Sequence, residues 1–208
     1  HAAAEHATRD EEAVGEAAAT LGVTVDPIMA YPRSFEGIQN SAGTYAQSHK
    51  ASGAQAALLP DKGQGLQAAA SFLRYNSVGV GQEYFLGLGG WSDPALARET
   101  AMDGGRFAAP DPTRIAEFAA RFQSAYGRAP GEIAWLGYDA VSIAAAMVSE
   151  ARAEGDDRPF GLDDITDPDG FTGVSGSVVF TRDGRNTRQL AVMRATSDGP
   201  TLLETTPG

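Results

Sequence analysis

Apolar positions along this chain follow two different rhythms. Glu11 to Leu21 is Ala-rich with helical spacing and stops at Gly22. "VTVDPIMAYP", residues 23–32, alternates apolar and polar positions, the period of a strand. Ser34 stands as an N-cap before a helix that runs to about Lys50 and ends at Gly53. "AQAALLP" is short and wholly apolar, the pattern of a strand covered on both faces. Leu66, Ala69, Ala70 and Leu73 recur at i, i+3, i+4 and i+7, one buried helix face. Tyr84–Leu88 and Arg106–Ala109 are further short apolar runs. Strand and helix alternate, which predicts an α/β fold with a parallel sheet flanked by helices.

The second half reads differently. Asp111 caps a helix with Pro112 in its first position and Gly127 as its stop. Ile115, Phe118, Ala119, Phe122 and Tyr126 form its stripe. The next helix, "EIAWLGYDAVSIAAAMVSEA", is apolar nearly all round and is expected to be central and buried. Ile115, Phe118, Phe122, Trp135, Val141 and Ile143 are the expected core. Residues 156–169 are acidic and loop-like, with room for a short helix. Strands are then expected at Ser177–Thr181, Leu190–Ala195 and Thr201–Leu203, with turns at Asp183-Gly184 and Asp198-Gly199. Asp-Gly between alternating runs signals hairpins and antiparallel closing strands.

One stretch breaks the pattern. In "FLGLGGWSDPALA" an apolar run enters Gly87, Gly89 and Gly90, and Ser92 or Asp93 then caps a helix whose first residue is Pro94. A dinucleotide loop would carry Gly where Ser92 stands, and a P-loop needs a nearby Gly-Lys-Ser/Thr. Two readings remain, a tight strand-to-helix connection and a backbone turn facing a ligand at a strand's carboxyl end.

Composition narrows the function. The net charge is −11, which opposes nucleic-acid binding because phosphate contacts need clustered Lys and Arg. Only Lys50 and Lys62 represent lysine. The chain has no cysteine, so disulfides, thiol nucleophiles and Cys-type zinc sites are excluded. No apolar run approaches the ~18 residues of a membrane span. The opening at His1 suggests a mature or truncated piece with its signal segment elsewhere.

The candidate chemistry is sparse. His1, His6 and His49 have no metal-ligand spacing and read as surface residues. "GVSGS", Gly173–Ser177, lacks the last glycine of a nucleophile elbow and enters a hairpin. "DPDG", Asp167–Gly170, lacks the ladder of a calcium loop and reads as a turn. No nucleophile–base pair, metal set or cofactor motif appears, so an enzyme is not expected. Asp139, inside the most apolar helix, must be hydrogen-bonded or line a cleft together with Tyr138. Both readings of Asp139 stay open.

Three segments together resemble the type I periplasmic binding protein superfamily of branched-chain amino-acid receptors. They are "AALLPDKGQGLQAAASFLRYNSVGVGQEYFLGLGGWSDPALA", "AEFAARFQSAYGRAPGEIAWLGYDAVSIAAAMVSEA" and "GSVVFTRDGRNTRQLAVMRATSDG". "LGLGGWSDPALARE", "FAAPDP" and "DPDGFTGVSG" more closely resemble the penicillin-binding protein activator family of LppC/LpoA-like lipoproteins. The resemblance implies a truncated two-lobed fold, with a second-lobe segment at 1–110, a helical pair and crossing segment at 111–176, and a closing β-meander at 177–208. It implies a periplasmic protein, lipid-anchored if at all through an N-terminus outside this sequence.

Two functions follow from the resemblance. One is a regulator of peptidoglycan synthesis that contacts a penicillin-binding protein. The other is the solute-binding component of an ABC transporter, with a small-molecule ligand and a permease partner. The implied ligand cleft comprises Asp61, Lys62, Gly89, Gly90, Trp91, Tyr138 and Asp139. Amino-acid-binding relatives hold the ligand's ammonium group with an aromatic residue and a Glu. Asp61 or Lys62, and Gly89, stand at the corresponding positions here, which predicts weak amino-acid binding.

Overall fold

The computed structural model describes residues 2–26, 28–93, 96, 99–131 and 133–205, with residues 2–10 as backbone alone. The helix start expected at Pro94, and the side chains of His1 and His6, lie outside the described residues. The chain divides into two compact units, 1–107 with 194–201 and 108–193 with 202–208.

The first unit opens with α1 (Ala2–Leu21) and α2 (Phe35–Ser52). The Ser34 hydroxyl caps α2 by accepting from the Gly37 N–H at 3.1 Å, and Gly53 ends it in the left-handed region. β1 (Ala56–Leu59), α3 (Gly63–Tyr75), β2 (Tyr84–Gly87) and β3 (Arg106–Ala109) follow. β1 and β2 pair in parallel with Leu59 opposite Gly87, and β2 pairs in parallel with β3. Leu66, Ala69, Ala70 and Leu73 of α3 are all buried, as their spacing predicts.

Residues 23–32 differ from expectation. No strand forms over the described part, 23–26 and 28–32. The Val23 N–H turns back to the Ala18 carbonyl at 2.9 Å, and Val23, Val25 and Ile28 are exposed. Alternation marks a strand only where a neighbour satisfies its backbone, and none of the described strands pairs there.

The second unit holds α4 (Pro112–Tyr126), α5 (Ala134–Glu154), the single turn α6 (Leu162–Ile165), and the strands β4 (Phe171–Gly173), β5 (Gly176–Phe180) and β6 (Asn186–Arg188). Asp111 caps α4 by accepting from the Thr113 N–H at 2.8 Å, and Gly127 closes it. β4, β5 and β6 form an antiparallel three-stranded sheet. β7 (Ala191–Arg194) and β8 (Thr201–Thr205) leave that sheet and continue the other one, whose order is β1-β2-β3-β7-β8. β3, β7 and β8 each run through residues of both units.

Two core expectations need correction. Phe118 and Ile143 are buried, but Ile115, Phe122 and Trp135 are partly exposed, and Val141 is 71% exposed. α5 buries one face only, through Asp139, Ile143, Met147 and Ala151. Its opposite face, Val141, Ala144, Ala145 and Val148, lines an open groove of about 500 Å³ with Phe160. The physical reason is coverage. β4 packs on α5, and on the opposite face Val141 stays open to solvent. No helix among the described residues is long and apolar enough to cross a membrane.

Candidate functional site

The parallel pairing of β1 with β2 sets their carboxyl ends side by side. Ligands of open α/β sheets bind outside such strand ends. β1 leads into Pro60, Asp61 and Lys62, and α3 begins at Gly63. β2 leads into a 3-10 turn over Gly89–Ser92. The two connections touch, because a Cβ on Gly90 would stand 3.0 Å from the Lys62 Cβ and 3.4 Å from the Asp61 carbonyl. Glycine at 90 therefore lets the two turns meet.

Asp61 is turned inward and fully engaged. Its Oδ2 accepts from the Tyr31 hydroxyl at 2.7 Å. Its Oδ1 accepts from the Lys62 backbone N–H at 2.8 Å and from Arg33 Nη2 at 3.4 Å. Burial, with the hydrogen bond to Asp61, raises the Tyr31 hydroxyl well above the usual phenol range, so it stays a donor. The Lys62 side chain is exposed, and no ion pair engages its ammonium among the described residues.

Trp91 does something else. Its ring is 2% exposed, its Nε1 donates to the Leu59 carbonyl at 3.1 Å, and its ring centroid lies 5.9 Å from that of Phe107. A Cβ at Gly87 would fall inside the indole, and one at Gly105 would stand 2.7 Å from it. The glycines of this turn thus make room for a core tryptophan and a close crossing. That is the tight-connection reading, with Trp91 as its plug.

Tyr138 and Asp139 lie in the second unit. Tyr138 is half-exposed on α5, its ring 5.4 Å from Phe118, with the Arg121 guanidinium 5.7 Å from its centroid. Asp139 is 1% exposed. Its Oδ1 accepts from the Val174 N–H at 2.6 Å, and Arg188 Nη1 stands 3.5 Å from Oδ2. A Cβ at Gly173 would come within 2.5 Å of Oδ2, so glycine there lets the strand approach the carboxylate. Arg188 also reaches Ser175 Oγ at 3.5 Å and lies over Trp135 at 5.6 Å. These bonds pin α5 to β4 and β6, which is the structural reading of Asp139.

His49 is the clearest departure. It is 1% exposed rather than a surface residue. It shares the inward face of α2 with Ile38, Ala42 and Ala46, its ring stacks on Tyr45, and its Nε2 lies 3.4 Å from Glu83 Oε2. The spacing 38, 42, 46, 49 carried that signal. Tyr31 and Arg33 were missed as well, and nothing in "YPRS" by itself places them against Asp61. Among the described residues no group of acids and histidines could hold a metal ion.

Strands shared between two units, with polar groups gathered at the carboxyl ends of parallel strands, define a type I binding-protein fold. The chain belongs to the periplasmic binding protein family, whose model matches residues 3–200. No curated protein matches it. Among solved structures, it is similar to a branched-chain amino-acid ABC transporter protein of Rhodospirillum rubrum (TM-score 0.66, 20% identity, 85% of this chain and 50% of that one). A leucine-binding protein of Thermotoga maritima is also similar (TM-score 0.55, 17% identity, 84% and 49%). So is a solute-binding protein of an ABC transporter from R. palustris, in complex with benzoate (TM-score 0.51, 16% identity, 78% and 46%). The chain spans about half the length of these structures.

Proposed function

We propose that this chain is part of a non-enzymatic solute-binding component of an ABC transporter, acting outside the cytoplasm with a permease as partner. The observation that carries this reading is the paired carboxyl ends of β1 and β2. They bring Asp61, Lys62, Gly89 and Gly90 together in a fold whose similar structures include transporter binding proteins. The ligands named for two of those structures, leucine and benzoate, differ in class, so the fold does not choose the solute.

The motifs shared with penicillin-binding protein activators support regulation of peptidoglycan synthesis less well. The family match and the similar structures are of the solute-binding kind. Thermal melting of the full-length gene product against a broad solute panel tests the proposal. A saturable rise of several degrees with one solute class supports it. Silence across the panel, together with capture of a purified penicillin-binding protein, would reverse the order of the two readings.

A further inference from the structure

We infer that this protein associates with a second copy of itself, and that a ridge of aromatic rings and arginines on α4 takes the acidic segment that follows α5 in the other copy. The inference is independent of the solute reading.

Spacing builds the ridge. Phe118, Phe122 and Tyr126 stand at i, i+4 and i+8 on α4, with successive ring centroids 5.9 and 4.6 Å apart. Tyr138 of α5 joins the row, 5.4 Å from Phe118. Phe118 is buried and roots the row, whereas Tyr126 is 66% and Tyr138 47% exposed. Tyrosine and arginine are the residue types enriched among those that carry the binding energy of protein interfaces.

Two guanidinium groups lie over these rings. Arg121 stands 5.7 Å from the Tyr138 centroid and Arg128 stands 5.3 Å from that of Phe122. An aromatic ring restrains a guanidinium without giving it an oxygen acceptor, so the N–H fork remains available to a carboxylate. Neither arginine has an acid partner among the described residues. Arg114 is exposed seven residues before Arg121. Among acids, Glu117 is exposed on α4, Asp111 is held by the Thr113 N–H, Asp139 is buried on Val174, and Glu132 lies outside the described residues. The described part of the ridge is therefore basic, in a chain of net charge −11.

The complementary surface is on the same chain. Seven acids are exposed between Arg152 and Asp169, against Arg152 and Arg158 alone, so this segment is strongly negative. Asp163 pairs with Arg182, Asp164 accepts from the Gly161 N–H, and Asp167 accepts from the Asp169 N–H. Asp156 and Asp157 are more open. Asp156 accepts from the Arg158 N–H through one oxygen, and Asp157 is 98% exposed with Arg158 3.9 Å away. Among the described residues no ion pair joins either of them to Arg121 or Arg128 within one chain. Surfaces of opposite charge that do not meet within one chain can meet between two. A two-fold dimer makes the contact twice, because each copy supplies a ridge and an acidic segment. The protein's net negative charge repels its own copy, which leaves the basic ridge as the face a second copy can approach.

Sedimentation equilibrium of the full-length gene product tests this, over about 1–100 µM. A concentration-dependent dimer is expected. Arg121→Glu with Arg128→Glu, and Asp156→Arg with Asp157→Arg, should each weaken association at least tenfold. All four positions are exposed, and thermal melts matching the parent will show that both variants fold. Mixed in equal amounts, the two variants should associate as the parent does, since the acidic ridge of one meets the basic segment of the other. Both variants remain net negative, so overall charge cannot supply that recovery. A parent protein that stays monomeric at the highest concentration overturns the inference. So does a reversal variant that dimerises like the parent, or a mixture of the two folded variants that stays monomeric.

Discussion

Trp91 Nε1 donates to the Leu59 carbonyl at 3.1 Å, and this bond ties the turn after β2 to the last residue of β1. The indole fills the space left by Gly87 and Gly105, so it sets how the two strand ends stand together. Trp91→Phe leaves a buried carbonyl short of its donor and is expected to cost about 1–3 kcal/mol. Trp91→Ala adds a cavity and is expected to cost about 3–5 kcal/mol. Urea unfolding of the two variants checks the order. Equal stability of Trp91→Ala and the parent chain would remove Trp91 from the core.

Asp139 should be needed for folding of the second unit. Its removal strips the Val174 N–H of its acceptor and leaves Arg188 without its carboxylate. Asp139→Ala is expected to destabilise by about 3–5 kcal/mol, the cost of breaking a buried pair from one side. Arg188→Ala should cost less, because Arg188 is partly exposed and its contact is long. Denaturant midpoints measure both. A ligand-binding defect without loss of stability in Asp139→Ala would return this residue to the cleft.

The two faces of α5 should respond oppositely. In the 208-residue chain, Val141→Lys replaces an exposed side chain and is expected to fall within about 0.5 kcal/mol of the parent. Ile143→Ala, two residues on, removes a buried side chain and is expected to cost about 2–5 kcal/mol. A large loss in Val141→Lys would show that this face is covered in solution.

Asp183, in the turn between β5 and β6, is lowered to about 2 by hydrogen bonds from the Thr181 hydroxyl, the Arg185 side chain and the Arg185 N–H. Because the folded value lies below the unfolded one near 3.8, the turn's contribution is present above pH 4 and is lost as the pH falls towards 2. Carboxyl NMR titration should place Asp183 below the ordinary aspartate value, and Thr181→Val should move it up. A midpoint at the ordinary aspartate value would refute the turn geometry.

Leu, Ile and Val are expected not to bind tightly. Where the resemblance puts the ammonium site of amino-acid-binding relatives, this chain carries Asp61 or Lys62, and Gly89, and the Asp61 carboxylate already accepts from Tyr31 and the Lys62 N–H. Loss of a charge-assisted partner corresponds to about 2–5 kcal/mol, roughly 30- to 5,000-fold in affinity. Calorimetry on the full-length gene product decides this. A micromolar dissociation constant for any of the three would refute the prediction.

Local chemistry made much of this fold legible in the sequence. Ser34 and Asp111 as caps, Gly53 and Gly127 as stops, the Leu66–Leu73 stripe and the Asp183-Gly184 turn act within a few residues, and each stands in the structure as its pattern predicts. The parallel sheet follows from alternating strands and helices. Coverage was not legible, because it depends on what lies opposite. Among the described residues the alternation at 23–32 found no neighbouring strand, Val141 stands exposed on an apolar helix, and His49 is buried beside Glu83, 34 positions away. The candidate site divides in the same way. The order of residues put Asp61, Lys62, Gly89 and Gly90 after their strands. Only the tertiary structure, in which Leu59 pairs with Gly87, brought the two turns together, set Asp61 against Tyr31 and Arg33, and placed Trp91 in the core.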